Sequence, residues 1–156
     1  MKKLLQILLV TVFLFYIAFL ILILFYRSNR GADVGIREYL YFYSNLVPFH
    51  TIVSYIKSFM EGKINSNLVY RNIFGNLFLF APLSMFMCVF FKKTKVFLKN
   101  AIFIFLCVLF AEFFQMIFRV GSFDVDDIIL NMLGAFVGFS VMKIKYIDSL
   151  VRSIYN

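Results

Sequence analysis

The stretch "SFDVDDIILNMLGAFVG", residues 122–138, decides how this chain is read. From about Val125 it is apolar enough to cross a bilayer. Yet it opens with Asp124, Asp126 and Asp127 and carries Asn131 one helical turn further in. Part of the explanation is capping. Ser122 or Asp124 can cap a helix, and carboxylates near a helix N-terminus interact well with its dipole, at about 0.3–1 kcal/mol each. Capping accounts for Asp124 and extends to Asp126. It does not account for Asn131, so the rest of the chain has to be searched for groups that would meet it.

The surrounding composition is that of a membrane protein. Of 156 residues 63% are hydrophobic, against about 45–50% in a soluble domain. The mean hydropathy is +0.91. A helix needs roughly 20 mostly apolar residues to span hydrocarbon. Four stretches meet or approach that length: Leu4–Tyr26, Asn72–Phe91 with Pro82 inside, Phe97–Phe118 with Glu112 and Gln115 inside, and about Val125–Met142. Helix is the default because lipid offers no water to backbone polar groups. The expected fold is an all-α, four-span transmembrane bundle in one domain covering residues 1–156. Lys2 and Lys3 before the first apolar run imitate a signal peptide. The run is long and no small-x-small site follows it, so it reads as a retained span.

Basic residues set the orientation. Lys92, Lys93, Lys95 and Lys99 lie between spans two and three, Lys2 and Lys3 precede span one, and Lys143, Lys145 and Arg152 follow span four. The positive-inside rule puts these segments, and both termini, in the cytoplasm. Residues 27–71 and 119–124 then lie outside. The net charge of +8 is thus mostly a topology signal. A nucleic-acid partner is not indicated, because the basic residues border spans rather than track a groove. Outside, "YLYFYSNLVPF" (39–49) suits a headgroup layer. After Pro48, apolar residues at Phe49, Ile52, Val53, Ile56, Phe59 and Met60 predict a short amphipathic helix stopped by Gly62.

The polar residues inside the spans share faces and depth. Glu112, Gln115 and Arg119 follow i, i+3, i+7 on span three. Asp124, Asp127, Asn131, Gly134 and Gly138 share a face of span four, and Asn72 and Asn76 share one on span two, just after Arg71. Glu112 lies roughly 10 Å below Arg119, Asn131 about 9 Å below the start of span four, and Asn76 about 7 Å below Arg71. All fall in the outer half, and the cytoplasmic halves carry almost none. An intramembrane ionisable residue points to function. The expectation is an outward-open pocket that brings Asn76, Glu112 and Asn131 together, with Arg71 and Arg119 placed to pair with carboxylates or to hold an anionic headgroup. Gly134-xxx-Gly138 allows close helix packing, and Pro82 is expected to kink span two. Cys88 and Cys107 lack disulfide or zinc spacing.

These same residues resemble the VanZ-like family of small bacterial membrane proteins. The matching pieces are "NLVPF" (45–49), "RNIFGNLFLFAPL" (71–83), "EFFQ" (112–115) with Arg119, and "DVDDIILNMLGAFVG" (124–138). Ser84 stands where the family often has Gly, and Met132 where it often has Thr. The resemblance implies a role in resistance to glycopeptide antibiotics, teicoplanin more than vancomycin, or an ordinary envelope role from which resistance follows.

Three mechanisms fit. A binding protein would hold a membrane lipid or lipid-linked wall precursor, with Arg71 and Arg119 on phosphate and Asn72, Asn76 and Gln115 donating or accepting hydrogen bonds. An enzyme would use Glu112 as acid or base and Asp127 as partner on a lipid-linked phosphate, since a low-dielectric site tunes carboxyl groups for proton transfer. A transporter would require the chain to oligomerise, and no paired half-helices or repeats occur. No cofactor is expected; the alternative is a divalent cation bound through oxygen at Asp124, Asp126 and Asp127.

Overall fold

The computed structural model describes residues 2–26, 35–91 and 95–155. Four stretches of helix are long and apolar enough to cross a membrane, as the sequence predicts. They are α1 (Lys2–Phe25), the in-line pair α4 (Ser66–Leu79) and α5 (Ala81–Phe90), α6 (Phe97–Ile117) and α7 (Val125–Met142). Between α1 and α4 lie α2 (Ile36–Phe42), the two-residue strand β1 (Ser44–Asn45) and α3 (His50–Met60). The predicted amphipathic helix is α3, and Gly62 beyond it takes the positive φ of 69° that a side chain would resist.

The second span begins at Ser66, six residues before its expected start at Asn72. The Asn65 side chain accepts the Asn67 N–H at 2.9 Å and caps an extra turn and a half that looks too polar to be membrane helix. The span breaks at Phe80. Pro82 sits in the first turn of α5, where its missing N–H costs least, and Ser84 N–H donates to the Phe80 carbonyl at 3.2 Å. Breaking a helix inside a bilayer strands carbonyls that need partners. The Tyr16 hydroxyl of α1 donates to the Leu79 carbonyl at 2.8 Å and satisfies one of them.

Helix α7 is the hub and packs on α4, α5 and α6. Its glycines make this possible. A Cβ at Gly134 would land on the Leu77 carbonyl, with the carbonyl carbon only 2.7 Å away; one at Gly138 would land on that of Ala81. The main core gathers Phe80, Leu83, Met87, Ile104, Val108, Ala111 and Ala135 with Leu20 and Leu24, the two buried residues of α1.

At the end of the bundle where Lys95 and Lys143 lie, the structure adds an element the sequence reading left out. Helix α8 (Lys145–Tyr155) lays Ile147 and Val151 on Cys88, Phe139 and Met142. Its i, i+4, i+7 apolar spacing at 147, 151 and 154 was the available signal. Gln6 near the start of α1 donates to the Ile154 carbonyl at 2.8 Å, so both ends of the described chain share this lysine end.

One expectation is corrected. The lysine half of the bundle does hold buried polar groups: Ser84 Oγ donates to Asn100 Oδ1 at 2.8 Å, and Asn100 Nδ2 contacts the Ser84 carbonyl at 3.1 Å and Cys88 Sγ at 3.3 Å. The residue that departs from the family pattern, Ser84, has acquired its own partner, and together they leave no unmet donor for lipid to face.

Candidate functional site

The site lies at the opposite, loop end. Strand β1 pairs in parallel with β2 (Phe123–Asp124), setting Ser44 against Phe123 and Asn45 against Asp124. This short pairing fastens the α2–α3 segment to the start of α7. Asp124 caps α7 by accepting the Asp126 N–H at 2.9 Å, and it also accepts from Asn45 Nδ2 at 3.0 Å and Thr51 Oγ1 at 2.7 Å. Asp126 is fully buried and caps a different helix. Its carboxylate accepts the backbone N–H groups of Phe49, Thr51 (2.7 Å) and Ile52 (3.0 Å) at the N-terminus of α3. An anion there meets both unpaired donors and the positive end of the helix dipole. Asp124 and Asp126 thus act as struts. A divalent cation at Asp124, Asp126 and Asp127 would have to displace these N–H and O–H donors.

Asp127 points elsewhere. With Asn76, Glu112 and Gln115 it lines a cavity of about 30 Å³, closed by Leu24 at the end of α1 and by Gly121 and Ser122. That volume admits a water molecule or one small polar group. Asn76 Nδ2 donates to Asp127 Oδ1 across the α4–α7 contact. Glu112 is 4% exposed and accepts the Asp124 N–H at 3.5 Å. Gln115 Nε2 donates to the Leu24 carbonyl at 2.8 Å, tying α6 to the last turn of α1. Four polar side chains from three spans therefore meet at one depth.

Asn131 sits one turn below, outside the cavity lining. It is 2% exposed, and its Nδ2 donates to the Asp127 carbonyl at 2.8 Å. Its Oδ1 has no hydrogen-bond partner among the described residues. Asn131 supports the turn that carries Asp127. Arg71 is exposed on α4, away from the cavity, and Asn72 folds back onto the Leu68 carbonyl at 2.7 Å. Sharing a helical face with Asn76 was not enough to bring Asn72 in, because its own helix offered a nearer acceptor.

Arg119 borders the site. It ends α6 in the left-handed conformation, φ 54°, with Val120 N–H on the Gln115 carbonyl (3.0 Å) and its own N–H on that of Met116 (3.1 Å). This is a Schellman turn with an arginine where glycine is usual. The guanidinium lies 5.6 Å from the ring centre of Tyr39, which is fully buried and donates its hydroxyl to the Gly121 carbonyl at 2.5 Å. Sequence reasoning missed Tyr39 and Thr51 as positioning residues. The aromatic run around Tyr39 was legible only as a headgroup segment.

A family model described as VanZ/LLP1 matches residues 13–146. The chain belongs to the VanZ/LLP1 family. Protein VanZ of Enterococcus faecium is 32% identical to it over 72 residues, which are 46% of this chain and 44% of that protein. The matched stretch is thus less than half of either. No solved structure matches the chain. The VanZ/LLP1 model takes in the whole cavity, from Ile23 on α1 to Asp127 on α7.

Proposed function

We propose that this VanZ/LLP1 membrane protein binds the polar part of a membrane lipid or lipid-linked wall precursor at its loop end, at the outer leaflet, with one small polar group of it entering the cavity, and thereby lowers susceptibility to teicoplanin-like glycopeptides. The observation that carries this is the meeting of Asn76, Glu112, Gln115 and Asp127 around one small cavity. The drug class comes from the family. The outward direction comes from the lysine end: Lys95, Lys99, Lys143 and Lys145 lie away from the cavity, and the positive-inside rule assigns them to the cytoplasm. A cysteine introduced at position 61, next to the strained Gly62, is expected to react with an impermeant thiol reagent added to whole cells, and one at 153 only after lysis. The reverse pattern would overturn the orientation. Positions 33 and 94, equally apt by sequence, lie outside the described residues.

A second reading has its own support. Two carboxyl groups, Glu112 and Asp127, share the cavity, which is the minimum equipment for proton transfer. Two substitutions separate the readings. Glu112→Gln keeps the shape and removes the acid. Arg119→Gly suits the left-handed turn, so the fold is retained while the guanidinium is lost. For a binding protein, Arg119→Gly is expected to weaken protection most, since a charge-assisted hydrogen bond contributes about 1.5–3 kcal/mol. For an enzyme, Glu112→Gln is expected to abolish protection. Drug susceptibility and membrane abundance are the readouts. Full protection in both variants at normal abundance would show that the cavity is structural.

A further inference from the structure

Helix α1 is pinned to the bundle at two levels. Near its middle, Phe13 packs on Phe86 at 5.1 Å and Tyr16 bonds the Leu79 carbonyl. At its end, Gln115 holds the Leu24 carbonyl. Between α1, α5 and α6 a groove of about 420 Å³ remains open on the membrane face. Its floor is buried and apolar, with Leu20, Leu83, Met87 and Ala111, and its rim carries Phe103, Phe110 and Phe114, 40%, 60% and 42% exposed.

The volume is within the range of ligand pockets, about 300–1,000 Å³. Along α1 the groove runs from Phe13 to Phe25, about 18 Å at helical rise. That is close to one leaflet of a hydrocarbon core about 30 Å thick. On α1 the groove covers the half nearer the loop end; on α5 it runs from Phe80 to Met87, one turn from the end of that helix. It finishes at Leu24, which is also a wall of the polar cavity, and on α6 Ala111 and Phe114 of the groove adjoin Glu112 and Gln115 of the cavity. An apolar slot one leaflet long, ending at a small cluster of carboxylates and amides, is shaped for an amphiphile.

We infer that the α1–α5–α6 groove seats a single alkyl chain of a membrane lipid, whose polar end reaches the Asn76–Glu112–Gln115–Asp127 cavity. This rests on the reading of that cavity as a headgroup site and adds the chain's position. Leu24 lines both spaces, so the last turn of α1, held by the Gln115 bond to the Leu24 carbonyl, stands between head and tail.

The test uses the full chain in phosphatidylglycerol vesicles doped with an analogue carrying a diazirine on one acyl chain. After illumination, adducts are mapped by peptide mass spectrometry. Adducts on the wild type are expected to concentrate severalfold at Phe110 and Phe114 over Leu14 and Phe15, which are also lipid-exposed but lie outside the groove. Ala111→Phe, which fills the groove floor, is expected to bring groove adducts down to the Phe15 level with Phe15 labelling and helix content unchanged. Uniform labelling of all exposed positions in the wild type would overturn the inference, as would absence of adducts at Phe110 and Phe114, the pattern expected if a second copy of the chain covers the groove. The wild-type map decides even if the filled variant does not fold. Uniform labelling together with loss of protection in Glu112→Gln would sink the groove and leave the cavity reading standing. Groove labelling with protection unaffected by either substitution would do the opposite.

Discussion

Gly134→Ala is expected to lose most of its stability and membrane abundance, while Gly75→Ala, the same substitution one helix away, is expected to gain a little of each. The chemistry is identical and only the surroundings differ. At Gly134 a new methyl would overlap the Leu77 carbonyl of α4; at Gly75 nothing lies within 4 Å. The first must push two helix backbones apart, and a backbone cannot turn aside as a flexible side chain can. The cost should fall at or above the upper end of the ~1–3 kcal/mol typical of overpacking. The second relieves a glycine within a helix, a gain of about 0.5–1 kcal/mol. Gly138→Ala should follow Gly134→Ala, since its methyl would meet the Ala81 carbonyl. Unfolding in mixed detergent micelles, with membrane abundance alongside, measures all three. Equal stability of the Gly134 and Gly75 variants would mean that α4 and α7 do not touch as described.

Asp126→Ala is expected to release α3 and the aromatic segment before it while the four spans stay assembled. Asp126 is fully buried, and it is the shared acceptor for the Phe49, Thr51 and Ile52 N–H groups. Hydrogen bonds to a charged group contribute about 1.5–3 kcal/mol. Hydrogen exchange at the start of α3 should therefore speed up about ten- to a hundredfold, at about 1.4 kcal/mol per decade. Asp126→Asn keeps an acceptor oxygen and loses the charge, so it should fall between. Unchanged protection of residues 50–53 in Asp126→Ala would show that α3 is held by something other than this carboxylate.

The contrast between Asp126 and Asp127 measures how far the sequence could be read. Both are acidic residues in the first turn of one helix, and helix geometry turns them about 100° apart. Which of the two looks inward depends on where α3 docks, a contact between residues 75 apart in the chain. Capping of α7 by Asp124 was legible because it is local. The cap that Asp126 provides for α3 was not, because its donors come from another segment. Asn76, Glu112 and Asn131 were predicted to meet at one depth; the cavity gathers the first two, together with Gln115 and Asp127. Asn131 and Asn72 fit the same pattern on paper and lie outside the cavity lining, each donating to a carbonyl four residues earlier in its own helix.

By itself the sequence determined that this is an all-α membrane chain, where its four spans lie, that Pro82 interrupts the second, and which end of the bundle is basic. Those are sums over neighbouring residues: hydropathy adds along a helix, a missing N–H acts within one turn, and charge collects where a span stops. Only the tertiary structure decided that Asp124 and Asp126 brace the loop while Asp127 joins the cavity, that Ser84 and Asn100 pair in the lysine half, and that α1 leaves a groove beside α6. Each of these depends on the rotation and register of one helix against another. Register is set by a few close contacts, Gly134 on Leu77, Gly138 on Ala81 and Asn45 beside Asp124, between residues 57, 57 and 79 positions apart. No local pattern encodes such a distance, because the preference of each residue is met equally well in many registers and the choice is made when the backbones meet.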